Sequence, residues 1–389
     1  MEELPLEKKE LLKCFQACML LHAVGDTIGY RNGQYKFNFG HPFHIILSNM
    51  KIFNFIRLGG VNEISLRKWL VSDNTIMHIA TAKSLLNNDK SYKKFSENYV
   101  KVIDDITKRN PDIENQLRRI SQPDIGSLCR SLRCPEIANL NELKAIVKGR
   151  EFDKQDYDIM NGGYGASIRS PVIGLVFHGE ENREKLIATS IEVARITHNS
   201  VIGYIGALGT ALFIAFALEK VPIENWMFKF LELINTGMIE KYLKATYGLK
   251  EYLRDKDIVT DRINKYIARR FKNKEVIMKF SHEIPEQRTQ MFVELFDVNE
   301  KQPLGWSSID VLIMAYDAVL DASNKVAWEK VIFYAMLQAG NGNSVGSIAG
   351  ALYGALYEFN GVPKKNLKHI EYKKELLDLG EALFKKYFM

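Results

Sequence analysis

Apolar positions recur at helical spacing through residues 10–30 (ELLKCFQACMLLHAVGDTIGY), predicting a helix that ends in Gly25-Asp26-Thr27-Ile28-Gly29-Tyr30. The glycine- and asparagine-bearing stretch from Arg31 to Phe37 reads as a loop that runs on through Pro42. A strongly helical run follows Trp69-Leu70-Val71, and Ser72-Asp73-Asn74-Thr75 before it has the composition of a helix start. Helical pattern continues from 91 to about Lys108, then gives way to a polar stretch broken at Pro111, Pro123 and Pro135. Val201 to Leu218 is an eighteen-residue run without a charge, at the lower edge of membrane-spanning length. No second run of that kind stands out. Gly203, Gly206, Gly209 and Thr210 suit close helix contact, so a core helix apolar on all sides is the preferred reading over a membrane span.

From 224 to 296 the pattern is amphipathic helix. Its basic run, Lys265, Arg269, Arg270, Lys272 and Lys274, follows the acids Glu251, Asp255, Asp257 and Asp261, which predicts a solvated face. Further helices are expected over Ile313–Leu320 and from about Glu371 to Tyr387. No strand alternation and no Pro-, Ser- or Gly-rich linker interrupts this sequence of elements. The expected architecture is therefore a single all-α domain over residues 14–389, with 1–13 as an N-terminal extension.

Two glycine-rich stretches depart from the helical background. In Gln338–Gly350 a loop enters a helix whose Gly346, Gly350 and Gly354 fall on one face, where another backbone can approach closely. Ser344 is the expected N-cap, and Asn341 and Asn343 supply neutral amides at a helix end that attracts ligands. The second stretch, Gly162-Gly163-Tyr164-Gly165-Ala166, can cradle a phosphate through its backbone N–H groups, although no P-loop lysine follows. Arg195 and His198, beside the apolar run, read as structural anchors.

Composition narrows the function only a little. A hydrophobic content of 46% with 26% charged residues is that of an ordinary globular chain, and a formal charge of +6 is too mild to imply nucleic acid. Cys14, Cys18, Cys129 and Cys134 form no CxxC pair, so reduced thiols and a cytoplasmic location are expected. The charged N-terminus lacks the apolar stretch of a signal peptide.

Six stretches, in order and rough spacing, carry a resemblance. They are Gly25–Gly33, Val71–His78, Gly162–Ala166, Arg195–His198, Met314–Ala318 and Ser347–Gly350. Together the chain resembles the ADP-ribosylglycohydrolase family, the fold of the dinitrogenase-reductase-activating glycohydrolase, and is most similar to its ADP-ribosylarginine hydrolase branch. Residues 109–160 and 250–300 match poorly. The resemblance implies a large orthogonal helical bundle and a pair of magnesium ions. The ions would sit between a Ser/Thr-Asp-Asp-Thr motif, an Asp-x-Asp-Ser/Thr motif and an acid upstream of the latter. Hard dications of this kind want charged oxygen ligands.

The resemblance places the metal positions at Ser72, Asp73, Asn74, Asp310, Asn341, Asn343 and Ser344. Three of the positions where the family carries acids hold amides here: Asn74, Asn341 and Asn343. Asp73 and Asp310 are the remnants of the catalytic metal centre, and Lys36 stands where the arginine-hydrolase branch carries a glutamate. Losing three negative charges weakens dication binding by several kcal/mol, on the order expected in a partly buried site. The positions implied to hold ADP-ribose remain: Asp26, Asn32, Gly33, Gly162, Gly163, Tyr164, Gly165 and Ala166. The expectation is a pseudo-enzyme that binds ADP-ribose or an ADP-ribosylated protein, or that serves as a scaffold through 109–160 or 250–275. The alternative is an active magnesium-dependent ADP-ribosylarginine hydrolase. Neither nucleic acid nor membrane is an expected partner.

Overall fold

A computed structural model describes residues 5–35, 44–88, 91–109, 133, 135–277, 285–296, 298, 303–323 and 326–389. Lys36, Cys129, Cys134, Pro111 and Pro123 lie outside these residues, as does much of 109–160. In chain order the first helices are α1 (Leu6–Tyr30), α2 (His44–Arg57), α3 (Asp73–Leu85), α4 (Lys93–Arg109), α5 (Ile137–Val147) and α6 (Pro171–Val176). Next come α7 (Arg183–Arg195), α8 (Val201–Leu218), α9 (Trp226–Asn235), α10 (Met238–Ala245) and α11 (Leu249–Arg270). The set closes with α12 (Pro285–Leu295), α13 (Ser308–Ala322), α14 (Gly342–Tyr357) and α15 (Lys373–Phe388). The fold is all-α; among the described residues the strands are β1 (Phe271–Lys272) and β2 (Glu275–Val276), an antiparallel hairpin after α11.

Two helices far apart in sequence form the central seam. α1 and α14 run antiparallel with their backbones touching, because the facing positions lack side chains. A Cβ at Gly25 would fall on Gly346 O, one at Gly29 on Gly342 O, and one at Gly350 on Leu21 O. The fourfold spacing of glycines in α14 thus finds its partner in α1. That partner brings Asp26 of α1 up to the N-terminus of α14.

α8 occupies the range expected from its apolar run, and Val201 through Ala217 are all buried. It packs against α6, α7, α11, α13 and α14. Gly206 lies against Ser308 and Gly209 against Phe230, so small residues set these approaches too. Protein therefore covers its apolar surface on every side. A second helix also meets the length and hydropathy of a membrane span: α1 with the turn after it, Leu6–Gly33, at 72% buried. The sequence reading missed it because its first turns are charged.

Other details differ from expectation. α14 begins three residues early, with Asn341 at the N-cap, and Ser344 sits inside its first turn. α1 runs unbroken through residues 13 and 14. The loop after α1 contains a 3₁₀ turn, Arg31–Gly33. Arg270 is not part of the solvated basic face: it is 0% exposed, while Lys265, Arg269, Lys272 and Lys274 are exposed. Its guanidinium pairs with Asp317 and Asp321, and Arg288 pairs with the same two acids. The amphipathic reading failed there because Arg270 lies on the face of α11 turned toward α13. Cys14 and Cys18 are free thiols, and burial raises the Cys14 pKa to about 12.

Candidate functional site

The N-termini of α3 and α14 meet beside Asp26 of α1. Ser72 caps α3, its Oγ accepting from Asn74 N at 3.2 Å. Both carboxylate oxygens of Asp26 are saturated. Oδ2 accepts from Ser72 N (2.8 Å) and Thr75 Oγ1 (2.7 Å). Oδ1 accepts from Ser72 Oγ (2.6 Å) and Asn343 Nδ2 (3.4 Å). Asp26 is fully buried, so these four donors hold its charge in place.

A reciprocal pair of bonds then joins the two helix ends. Asn343 Nδ2 donates to Ser72 Oγ at 3.1 Å, and Asn74 Nδ2 donates to Ser344 Oγ at 3.1 Å. Asn341 Nδ2 donates to Gly305 O at 3.2 Å. Asp73 Oδ2 accepts from Glu136 N at 3.2 Å. Ser72, Asn74, Asn343 and Ser344 are thereby brought together with Asp26, while Asp73 turns to Glu136 and Asn341 to Gly305. Asp310 has its own partners. It forms a capping box with Ser307 at the start of α13, and Arg262 of α11 donates to its Oδ1. Burial raises its pKa, opposed by the Arg262 charge and the Ser307 bonds.

The glycine turn at 162–166 makes a different contact from the one expected of a phosphate cradle. A Cβ at Gly163 or Gly165 would fall on the carboxylate of Glu136, so the missing side chains make room for that acid. Glu136 Oε2 lies 2.9 Å from His198 Nε2, and His198 Nδ1 lies 2.7 Å from Thr197 Oγ1. Arg169 donates to the same hydroxyl at 2.7 Å. The turn's carbonyls serve the start of α13: Ser308 N donates to Gly162 O (3.0 Å) and Ser308 Oγ to Gly163 O (2.6 Å). Glu136, Asp158, Asn161, Gly163, Tyr164 and Trp306 line a cavity of about 400 Å³. Asn32 anchors a loop, donating to Lys68 O and accepting from Leu70 N, and Gly33 follows it at φ 84°. Ala166 is buried in the core.

Two site residues escaped the sequence reading. Glu136 has no motif around it, and only the glycines opposite betray it. Lys51 of α2 is 2% exposed, and its Nζ donates to Gln338 O at 3.0 Å, close to Gly342.

The model of the family described as ADP-ribosylglycohydrolase matches residues 7–388. The chain belongs to this family. Its relatives include "Putative ADP-ribosyl glycohydrolase L444" of Acanthamoeba polyphaga mimivirus, 33% identical over 378 residues, covering 92% of this chain and 67% of that protein. "ADP-ribosylhydrolase ARH1" of Dictyostelium discoideum is 29% identical over 391 residues, covering 94% of this chain and 92% of that protein. A solved structure titled "ADP-ribosylglycohydrolase-related protein complex" superposes with a TM-score of 0.57 at 17% identity, covering 98% of this chain and 100% of its own. That likeness concerns the ADP-ribosylglycohydrolase fold. Of the six stretches that carried the family resemblance, those at 25–33, 71–78 and 347–350 lie on α1, α3 and α14, which build the amide cluster. The stretches at 162–166 and 195–198 meet around Glu136. In the stretch at 314–318, Asp317 pairs with buried arginines.

Proposed function

We propose that this member of the ADP-ribosylglycohydrolase family is a pseudo-enzyme without dimetal catalysis, acting as an ADP-ribose-binding protein or a scaffold. The donor set at the metal positions carries this reading. Asn74, Asn341 and Asn343 offer neutral amides, and their Oδ1 atoms are buried without a hydrogen-bond partner among the described residues. Asp310 is committed to Arg262 and Ser307. Two dications in one pocket repel each other and need carboxylates between them. Of the implied acids only Asp73 and Asp310 remain, and Asp73 Oδ2 accepts from Glu136 N, so this set does not fit a magnesium pair.

The cavity beside the glycine turn supports ligand binding without metal. Its volume of about 400 Å³ falls within the range of small-molecule sites, and Tyr164 and Trp306 offer ring faces. Where a protein partner is engaged instead, 109–160 or 250–275 is the proposed surface.

The test is a thermal shift with ADP-ribose in the presence of a chelator. Ligand at a thousandfold excess over its Kd stabilises by about 4 kcal/mol, which is readily measured. No shift at any concentration leaves the scaffold role. Release of ADP-ribose from ADP-ribosylarginine in magnesium buffer would overturn the pseudo-enzyme reading.

A further inference from the structure

The two stretches proposed above as partner surfaces meet at one place. Asp153, Gln155 and Asp156 from the first and Glu251 from the second line a cavity of about 660 Å³, together with Asn199 and Tyr247. It shares no lining residue with the cavity at the glycine turn. Its backbone is pinned. Asp158 N donates to Asn199 O at 3.1 Å and Asn199 Nδ2 to Gln155 O at 2.8 Å, which fixes this stretch against the turn before α8.

Gln155 is 8% exposed, and its Nε2 donates to the Thr197 carbonyl at 3.2 Å. A carbonyl can only accept, so the amide has one orientation, and Oε1 is left buried without a hydrogen-bond partner among the described residues. A buried acceptor in a cavity wall is costly until a donor reaches it. The rest of the wall also accepts. Asp153 and Asp156 are exposed, and neither carboxylate has an ion-pair partner among the described residues. Glu251, in the first turn of α11, answers the positive end of that helix. Lys154 is the one base among the described lining residues. Arg195 nearby is committed to Glu192 at 3.2 Å and to the Tyr247 carbonyl at 3.1 Å. The result is an acidic recess on a chain whose formal charge is +6. Tyr247 is 41% exposed, and its ring already has the Arg195 guanidinium 4.3 Å from its centre.

Amide oxygens, carboxylates and an aromatic ring together call for a group that carries positive charge and only donates. Arginine and lysine side chains have that chemistry, and phosphates and acidic peptides do not. We propose that this recess binds a basic side chain, arginine or lysine, presented by a peptide segment of a partner protein. Asp153 and Asp156 hold the cation, Gln155 Oε1 accepts from it, and the Tyr247 ring lies against it. The site rests on the partner-binding side of the proposed function and gives that partner its chemistry.

Calorimetric titration of the full-length chain with end-blocked tetra-arginine and tetra-lysine peptides tests it, with tetra-glutamine as the neutral control. The expected result is saturable binding of a basic peptide, none of tetra-glutamine, and weakening as NaCl is raised. Asp153→Asn combined with Asp156→Asn should weaken that binding about tenfold. Glu180→Gln combined with Glu181→Gln removes as much exposed charge before the start of α7, at the end of that helix remote from Arg195, and should leave binding unchanged. Gln155→Met should weaken it with no change in net charge; if that variant does not fold, the two paired acid changes decide. Equal loss from both acid pairs overturns the site. Basic peptide bound as tightly by the Asp153 and Asp156 variant as by the native chain also overturns it, while leaving a basic partner on another surface. No uptake of either basic peptide overturns both the site and this chemistry for the partner.

Discussion

Lys51 Nζ donates to the Gln338 carbonyl across 3.0 Å, fastening α2 to the loop that opens α14. The side chain is buried, and desolvation lowers its pKa from 10.5 to about 7. Between those two values the unfolded chain binds more protons at this position than the folded one. Stability therefore rises with pH across that window, by about 1.4 kcal/mol per pH unit at most. Lys51→Met should remove this rise. Urea denaturation of both proteins at several pH values inside the window measures it, and parallel curves would show that Lys51 stays charged when folded.

Magnesium uptake is expected to follow the count of acids at the helix junction. The native chain should give no calorimetric signal with MgCl2. Asn74→Asp alone should change little, since Asn341 and Asn343 still face it as amides. The triple change Asn74→Asp, Asn341→Asp, Asn343→Asp should acquire Mg²⁺ binding, with Asp73 and Ser344 already in place. Tight uptake of two ions by the native protein in the same buffer would sink the amide argument.

Gly163 and Glu136 should be energetically coupled. Gly163→Ala places a methyl group on the Glu136 carboxylate and drives it off His198, a loss of about 1–2 kcal/mol. In a Glu136→Ala background the same glycine change should cost far less. A double-mutant cycle by chemical denaturation decides this, and simple additivity would mean that the turn excludes side chains for another reason.

Asp317 should matter more than either arginine it holds. It is fully buried, with Arg270 and Arg288 on its two oxygens and Tyr266 OH 2.6 Å from Oδ1. Asp317→Asn leaves two buried guanidinium groups facing Asp321 alone, at a cost of about 3–5 kcal/mol. Arg270→Met leaves the acids still paired with Arg288 and should cost less. The denaturant midpoints of the two variants give the ranking.

The helices with strong apolar periodicity were legible in the sequence, α8 to the residue, because burial on all sides writes itself into composition. The fourfold glycine spacing of α14 correctly announced a close backbone neighbour, and of the stretches that the family resemblance groups, Ser72 bonds Asn343 and Asn74 bonds Ser344. Long-range partners were not legible. Nothing near Glu136 in sequence points to His198, 62 residues on, or to the glycines whose missing side chains admit it. Arg270 looked solvated because charge periodicity cannot tell a guanidinium facing water from one facing Asp317. The cap of α14 stands at Asn341, whose side chain makes no capping bond, and the Ser344 hydroxyl accepts from Asn74 of α3, a partner visible only in three dimensions.

The glycine seam between α1 and α14 also bears on how the chain comes to be folded. Asp26 and Asn343, bonded side by side, are 317 residues apart. During synthesis α1 emerges first, with an apolar face whose proper cover is made only near the end. Pairing elements so distant is slow, because the loop between them must close before any contact rewards it. Until then α1 is a sticky segment awaiting its mate, and a nascent chain stalled before α14 should be a client for chaperones.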